Sequence, residues 1–317
     1  MRKGLITLFI AATFVLSFAG YNETLAFDYV NVAAATSCPS DKLLSMSCGS
    51  YCDYLKEHGY SVYFSKIYDI KGEEGTSVSF SMFYNAAKKL FVTSFRQTTS
   101  DRQVRHEALQ SYGVKYDLHK NLPGNVVVMK YFYDKYTNIV RPDVIANFKK
   151  ALNEFPSDTN ILFTGHSLGS ALTTLAALDA KLSGFLEGRN VNVYAFGSPR
   201  VGNGAFADLY NSLLPETYRV IHYNDLSPKI FPCIPDLVNG GCVKASSRTT
   251  LWQPYHVNNE VLYYKENMAF GEYLVCQNED PKCGGRWSVF QGDNQQHLHY
   301  FNVTMLCIDW DHNGYFF

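Results

Sequence analysis

Gly165-His166-Ser167-Leu168-Gly169 follows the short apolar run Asn160-Ile161-Leu162-Phe163-Thr164 and leads into Ser170-Ala171-Leu172-Thr173-Thr174-Leu175-Ala176-Ala177-Leu178. The first run has strand character and the last reads as a buried helix. A serine between a strand and a helix, with Gly two residues to either side, is the pattern of a nucleophile elbow. The turn is so tight that side chains at the flanking positions collide, hence glycine. The serine hydroxyl is lifted clear of the sheet edge, and the next residue's N–H points at the same spot. Gly-x-Ser-x-Gly alone occurs by chance in roughly one chain in ten of this length. The strand before it and the helix after it are what give it weight.

Outward from the elbow, strands and helices alternate. Leu90 to Phe95 reads as a strand and Val126 to Met129 as a shorter one. Pro142 opens a helix, where its missing N–H costs nothing, and Val144, Ile145, Phe148, Leu152 and Phe155 give that helix one apolar face. After the elbow come a strand from Val191 to Phe196, a helix around Ala205 to Leu213, a strand from Tyr218 to Tyr223 and a late strand from Glu260 to Tyr264. Such alternation implies βαβ crossovers and a mainly parallel sheet flanked by helices. With no internal repeat and no low-complexity linker, residues 21–317 are expected to form one domain.

The 317 residues are 46% hydrophobic and 15% aromatic, enough for a large core. Arg2 and Lys3 precede an apolar run from Leu5 to Phe18, followed by Ala19 and Gly20. This is the layout of a secretory signal peptide over residues 1–20, too short to span a membrane comfortably. No second long apolar run exists, so no integral membrane segment is expected after its removal. Without Arg2 and Lys3 the 28 basic residues fall to 26 against 29 acidic, and no basic run argues for nucleic acid. Eight cysteines in a secreted chain favour disulfides over metal. Cys233 and Cys242 bracket a loop, as do Cys276 and Cys283, and Cys48 and Cys52 are near neighbours. These pairings leave Cys38 and Cys307 to tie the ends of the mature chain together. Sequons at Asn22 and Asn302 allow glycosylation.

A serine hydroxyl needs a base, usually His held by a carboxylate, and in α/β-hydrolases the chain order is Ser, acid, His. After Ser167 the histidines are His222, His256, His297, His299 and His312, and the carboxylates best placed at strand ends are Asp225 and Asp236. Position alone leaves these open. His222, on a buried strand, reads as a core residue, and His166 as a packing and orienting neighbour of Ser167. His297 and His299 on extended chain face opposite ways, which disfavours a metal pair; no metal is expected.

Longer blocks carry a family resemblance. Phe163-Thr164-Gly165-His166-Ser167-Leu168-Gly169-Ser170-Ala171-Leu172 resembles the elbow of the class 3, or fungal-type, triacylglycerol lipases. Phe196-Gly197-Ser198-Pro199-Arg200-Val201-Gly202-Asn203 is similar to that family's next signature. The block from Arg219 to Pro232 resembles the one carrying its catalytic aspartate, and His297-Leu298-His299-Tyr300-Phe301 the one carrying its catalytic histidine. Phe95-Arg96-Gln97-Thr98 stands where the family has its oxyanion segment. The resemblance spans roughly residues 85 to 307, with the blocks in order.

The resemblance implies an α/β-hydrolase fold and a secreted, monomeric ester hydrolase acting on acylglycerols at a lipid–water interface. Ser167 would be nucleophile, Asp225 acid and His297 base, with no cofactor. Leu168 and Thr98 would give backbone N–H groups to the oxyanion, helped by the Thr98 hydroxyl. An esterase for soluble substrates, a phospholipase and an acyltransferase share this chemistry, and an inactive lipid-binding relative shares the fold. Ala33 to Cys38 resembles the family's first helix, which supports Cys38 with Cys307 and Cys48 with Cys52. Two departures stand out. Gln97 occupies a position where the family usually has Gly, and Met129-Lys130-Tyr131-Phe132 replaces a His-x-Gly-Phe run. A short lid is expected over Thr99 to Tyr112. Val104, Ala108 and Tyr112, with Leu109 beside them, make its apolar face, and the absence of Trp and Phe there implies weak interfacial activation.

Overall fold

The computed structural model describes residues 20–244, 252–283 and 291–307. The expected signal segment, but for Gly20, lies outside the described residues, as does His312. Eight strands form the central sheet, and their spatial order is their chain order. They are β1 (Tyr60–Asp69), β2 (Ser77–Asn85), β3 (Leu90–Phe95), β4 (Asn160–His166), β5 (Val191–Phe196), β6 (Thr217–His222), β7 (Asn259–Tyr263) and β8 (Tyr273–Gln277). From β3 to β7 every pair is parallel. β1 and β2 extend one edge and β8 the other, all antiparallel. This is the mainly parallel, helix-flanked sheet of an α/β-hydrolase. The sequence reading starts its strands at Leu90 and omits the β1–β2 ribbon and β8.

Side-chain alternation sends one sheet in two directions. Ile161 and Phe163 of β4 join a core on one face, while Leu162 between them joins the core on the other. The first face is covered by α3 (Arg141–Glu154) and α4 (Leu168–Leu182), the second by α1 (Glu23–Ala35). α1 turns Ala26, Val30, Val32, Ala33 and Ala34 inward. α4 is buried from Leu168 through Ala180, and its run of Gly, Ser and Ala lets it lie close against β3, β4 and β5. Leu172 and Leu175 in it are fully buried, so truncating either to Ala costs about 2–5 kcal/mol. That packing fixes the helix whose first residue follows Ser167.

Disulfides join Cys38 to Cys307, Cys48 to Cys52, Cys233 to Cys242 and Cys276 to Cys283. The first closes a loop of 269 residues and constrains the unfolded chain by about 5.6 kcal/mol in the chain-entropy picture. Among the described residues no helix is long and apolar enough to cross a membrane.

Candidate active site

β4 ends at His166 and α4 begins at Leu168, so Ser167 alone makes the turn, with φ 55° and ψ −125°. A non-glycine residue there is strained. The Ser167 N–H donates to the Phe196 carbonyl at 3.0 Å, which helps hold the turn. A Cβ on Gly165 would stand 2.7 Å from the Gly169 backbone, and one on Gly169 would stand 2.1 Å from the Phe95 carbonyl oxygen. The two glycines of the pentapeptide are therefore steric requirements of β3, β4 and α4 meeting at one point.

His297 arrives on α6, where α5 is Gly204–Leu213 and α6 is Asn294–Leu298. Asp293 caps α6, accepting from the Gln295 N–H at 2.7 Å. His297 Nε2 lies 2.9 Å from Ser167 Oγ, and Nδ1 lies 2.9 and 3.0 Å from the two oxygens of Asp225. Asp225, just beyond β6, also accepts from the Ser227 N–H at 2.8 Å and from the Tyr300 hydroxyl. Burial pushes the Asp225 carboxyl up. The His297 ring, the Tyr300 hydroxyl and the Ser227 N–H outweigh that, holding it below the usual carboxylate range. Gly197, at φ +56°, leaves the space: a Cβ there would sit 2.7 Å from Asp225 Oδ2 and 3.0 Å from the His297 ring. The chain can thus pass a proton from Ser167 Oγ to His297 Nε2 while Nδ1–H stays bonded to a carboxylate.

The other candidates lie elsewhere. His222 is buried, and its nitrogens face the carbonyls of His299, Gln296 and Glu266. His256 is buried against the Pro228 carbonyl, and burial pushes its imidazole well below the ordinary value. His299 Nδ1 meets the Gln295 carbonyl at 2.9 Å. Asp236 ties a surface turn through the Val238 and Asn239 N–H groups. Asn22 is exposed and caps α1 through its side chain, and Asn302 is exposed at a positive-φ turn. Among the described residues, the group that gathers three metal-ligating side chains is Cys233, Cys242 and Glu279, and its two sulfurs are bonded to each other.

Gln97 fills the place of the expected glycine with a buried side chain that meets His166. Burial keeps His166 well below the ordinary imidazole value, so it is neutral and carries one N–H. Its Nε2 is 2.7 Å from the His297 carbonyl, which can only accept, so the proton sits there. Nδ1, then a bare acceptor, lies 2.8 Å from the Gln97 carboxamide at Oε1, while Gln97 Nε2 is buried without a partner. A half-turn of the carboxamide satisfies both groups. Neither this relay nor the part played by Tyr300 is foreseen from sequence; the departure from glycine at Gln97 is the one local signal.

A cavity of about 300 Å³ opens on Ser167 and His297, with Val104, Leu226, Ile230, Phe231 and Leu298 among its walls. Thr98 and Leu168 line it too. As the first residue of α4, Leu168 has no partner for its N–H within the helix. The Thr98 hydroxyl, expected to help an oxyanion, is hydrogen-bonded to Glu107 on α2 (Asp101–Leu109). The expected lid is this helix, and most of its apolar stripe faces outward. Leu109 and Tyr112 are exposed, at 77% and 50%, and Ala108 is exposed as well. Gln103 points inward instead, fully buried, with its amide on the Ser77 carbonyl and its oxygen on the Thr99 N–H. Hydrogen bonds, not the apolar stripe, set which face of α2 is inside.

A sequence model described as "Lipase (class 3)" matches residues 92–234. Lipase ZK262.3 of Caenorhabditis elegans is 31% identical over 168 residues, 50% of this chain and 44% of that protein. Secreted mono- and diacylglycerol lipase A of Penicillium cyclopium is 38% identical over 92 residues, 29% and 28% of the two chains. The matched part is thus less than half the length of these curated relatives. The crystal structure of a lipase from Rhizopus microsporus var. chinensis superposes with a TM-score of 0.69 at 22% identity, covering 90% of this chain and 88% of that one. Rhizomucor miehei triacylglyceride lipase gives 0.69 at 23% identity, covering 90% and 96%.

Proposed function

We propose, on the premise that this chain belongs to the class 3 lipase family, that it is a secreted serine ester hydrolase that cleaves acylglycerols. The observation that carries the reading is the line from Ser167 Oγ through His297 to Asp225, with both contacts at 3.0 Å or less. His297 Nε2 takes the Ser167 proton as Oγ attacks the ester carbonyl. Asp225, held ionised, keeps the remaining proton on Nδ1 and stabilises the imidazolium. The Leu168 and Thr98 N–H groups receive the oxyanion. The imidazolium then protonates the departing alcohol, leaving an acyl group on Ser167. A water activated by the same histidine releases the acid and restores the hydroxyl.

The apolar walls at Val104, Leu226, Ile230 and Phe231 suit an acyl chain and favour lipid over polar esters. The mature chain works as a monomer without a cofactor, carries glycans at Asn22 and Asn302, and enters the secretory route by residues 1–20. Four disulfides support the last point, because they persist in oxidising compartments. The test is the purified protein on a panel of acylglycerols, phospholipids and soluble esters, beside fluorophosphonate labelling. Acylglycerol hydrolysis with label on Ser167 is expected. A folded protein that neither labels nor hydrolyses any ester overturns the reading in favour of a lipid-binding relative.

A further inference from the structure

Beyond Phe231 the chain leaves the cavity wall and forms a tight hairpin. Asp236 N–H donates to the Gly241 carbonyl at 3.0 Å, and Val243 N–H donates to the Ile234 carbonyl at 2.8 Å. Cys233 and Cys242 are bonded across its base. The Asp236 carboxylate folds back onto the Val238 and Asn239 N–H groups. Gly241 rests so closely on the Glu279 backbone that a Cβ would stand 2.1 Å from its carbonyl oxygen. Below it, Arg200 grips Glu279 through two nitrogens and the Phe231 carbonyl at 2.9 Å. The hairpin is therefore a braced projection. At its tip Leu237 is 94% and Val238 90% exposed, with Ile234 at 58% behind them.

We propose that this hairpin is the lipid anchor of the enzyme, setting Leu237 and Val238 into a neutral lipid surface beside the cavity mouth. The inference rests on the acylglycerol reading above. Ile230, which lines the cavity and is 39% exposed, lies seven residues before Leu237, so anchor and mouth belong to one continuous segment. Charge selects the surface. No Lys or Arg occurs from Pro232 through Val243, and the one ionisable group at the turn is the anionic Asp236. An anionic membrane gains nothing from this tip, whereas an uncharged acylglycerol layer accepts it. The aliphatic side chains are already outside, so docking buries apolar area without refolding.

The test compares the full mature chain with the double variant Leu237→Ser, Val238→Ser. Flotation with phosphatidylcholine vesicles loaded with diacylglycerol should show binding weakened at least about fivefold, from the apolar area lost. Adding phosphatidylserine should not strengthen wild-type binding. Turnover of a dissolved short-chain ester, fluorophosphonate labelling of Ser167 and melting temperature should stay unchanged, since both side chains are exposed. Equal binding by variant and wild type overturns the anchor. So does a wild-type dimer that the variant abolishes, which assigns the face to a second copy, and so does binding that requires anionic lipid. A protein that hydrolyses dissolved esters but ignores the vesicles fails this inference alone. One that binds through the hairpin but hydrolyses no ester fails the proposed function alone.

Discussion

The floor of the site and its mouth are built on opposite plans. At the floor, His297 lies within 3.0 Å of both Ser167 and Asp225, and backbone with no room for a Cβ packs around them at Gly165, Gly169 and Gly197. At the mouth, α2 and the hairpin present Leu109, Leu237 and Val238 to solvent. The floor tolerates almost no displacement, while the mouth is a surface on which substitutions should redistribute binding without touching chemistry. Changes at the floor should therefore cost orders of magnitude, and changes at the mouth small factors.

The strongest challenge to that contrast is the triad. Ser167→Ala should lower ester turnover by about 10⁴-fold or more, as should His297→Ala, and Asp225→Asn should lower it by about 10⁴-fold. Melting temperature should hold for Ser167→Ala, because a residue at φ 55° gives up little when only its hydroxyl is removed. Turnover near wild type in any of the three, measured on enzyme free of contaminating esterase, breaks the assignment of the floor.

A second challenge has no catalytic atom in it. Gly197→Ala puts a methyl 2.7 Å from Asp225 and 3.0 Å from the His297 ring at a positive φ. A displacement of about 1 Å in such a group costs on the order of 100-fold in turnover. The KM for a short-chain ester should stay near wild type, because the cavity walls are not altered. A Gly197→Ala enzyme with full turnover means the floor gives more easily than its contacts imply.

The same contrast explains what the sequence discloses. The elbow, its strand and its helix are legible because their constraints are local: two glycines, an apolar run and a helix of small residues. Order along the chain and resemblance between blocks point to Asp225 and His297, which lie 72 residues apart and meet through the sheet. The mouth is harder. Helical periodicity tells which side chains of Val104, Ala108 and Tyr112 share a face, but not which face turns inward. In α2 the decision falls to Gln103 and its bonds to Ser77 and Thr99. Likewise the sequence marks a loop between Cys233 and Cys242 but does not tell that Leu237 and Val238 stand exposed at its tip. The β1–β2 ribbon escapes because it pairs antiparallel, outside the βαβ rhythm used to find the rest.

Gln97 lies between floor and mouth, and its effect should too. Gln97→Leu keeps the volume but leaves His166 Nδ1 without a donor. The His297 carbonyl still holds the proton on Nε2, so the ring keeps its tautomer but loses the partner that fixes its other edge. Loss of one buried hydrogen bond predicts about a tenfold fall in kcat, with KM for a soluble ester little changed. ¹⁵N shifts of the His166 ring should show Nε2 protonated in both proteins, with the Nδ1 signal moved in the variant by loss of its hydrogen bond. An Nδ1-protonated wild type reverses the relay.

The smallest effect at neutral pH should come from Glu107, and it tests the link between α2 and the oxyanion loop. Burial raises its carboxyl to about 8, against the opposing pulls of Thr98 and Lys135. Below that pH the group is a neutral acid and can give its own proton to Thr98 Oγ1, freeing the Thr98 hydroxyl for an oxyanion. Above it, the carboxylate takes the Thr98 hydroxyl and sets a negative charge near where the oxyanion forms. Turnover should therefore fall as pH rises through about 8. The folded state holds this proton more tightly than the unfolded chain. Glu107 thus lowers stability progressively from the ordinary carboxyl range up to about 8, and no further above it. Glu107→Gln cannot ionise and keeps the shape. At pH 7 its turnover should lie within about threefold of wild type, the scale of a single neutral hydrogen bond. Its pH–rate profile should lose the alkaline fall near 8, and its melting temperature should decline less between pH 5 and 8. If the alkaline limb survives unchanged in Glu107→Gln, the group that titrates is another one, and α2 covers the site without tuning its chemistry.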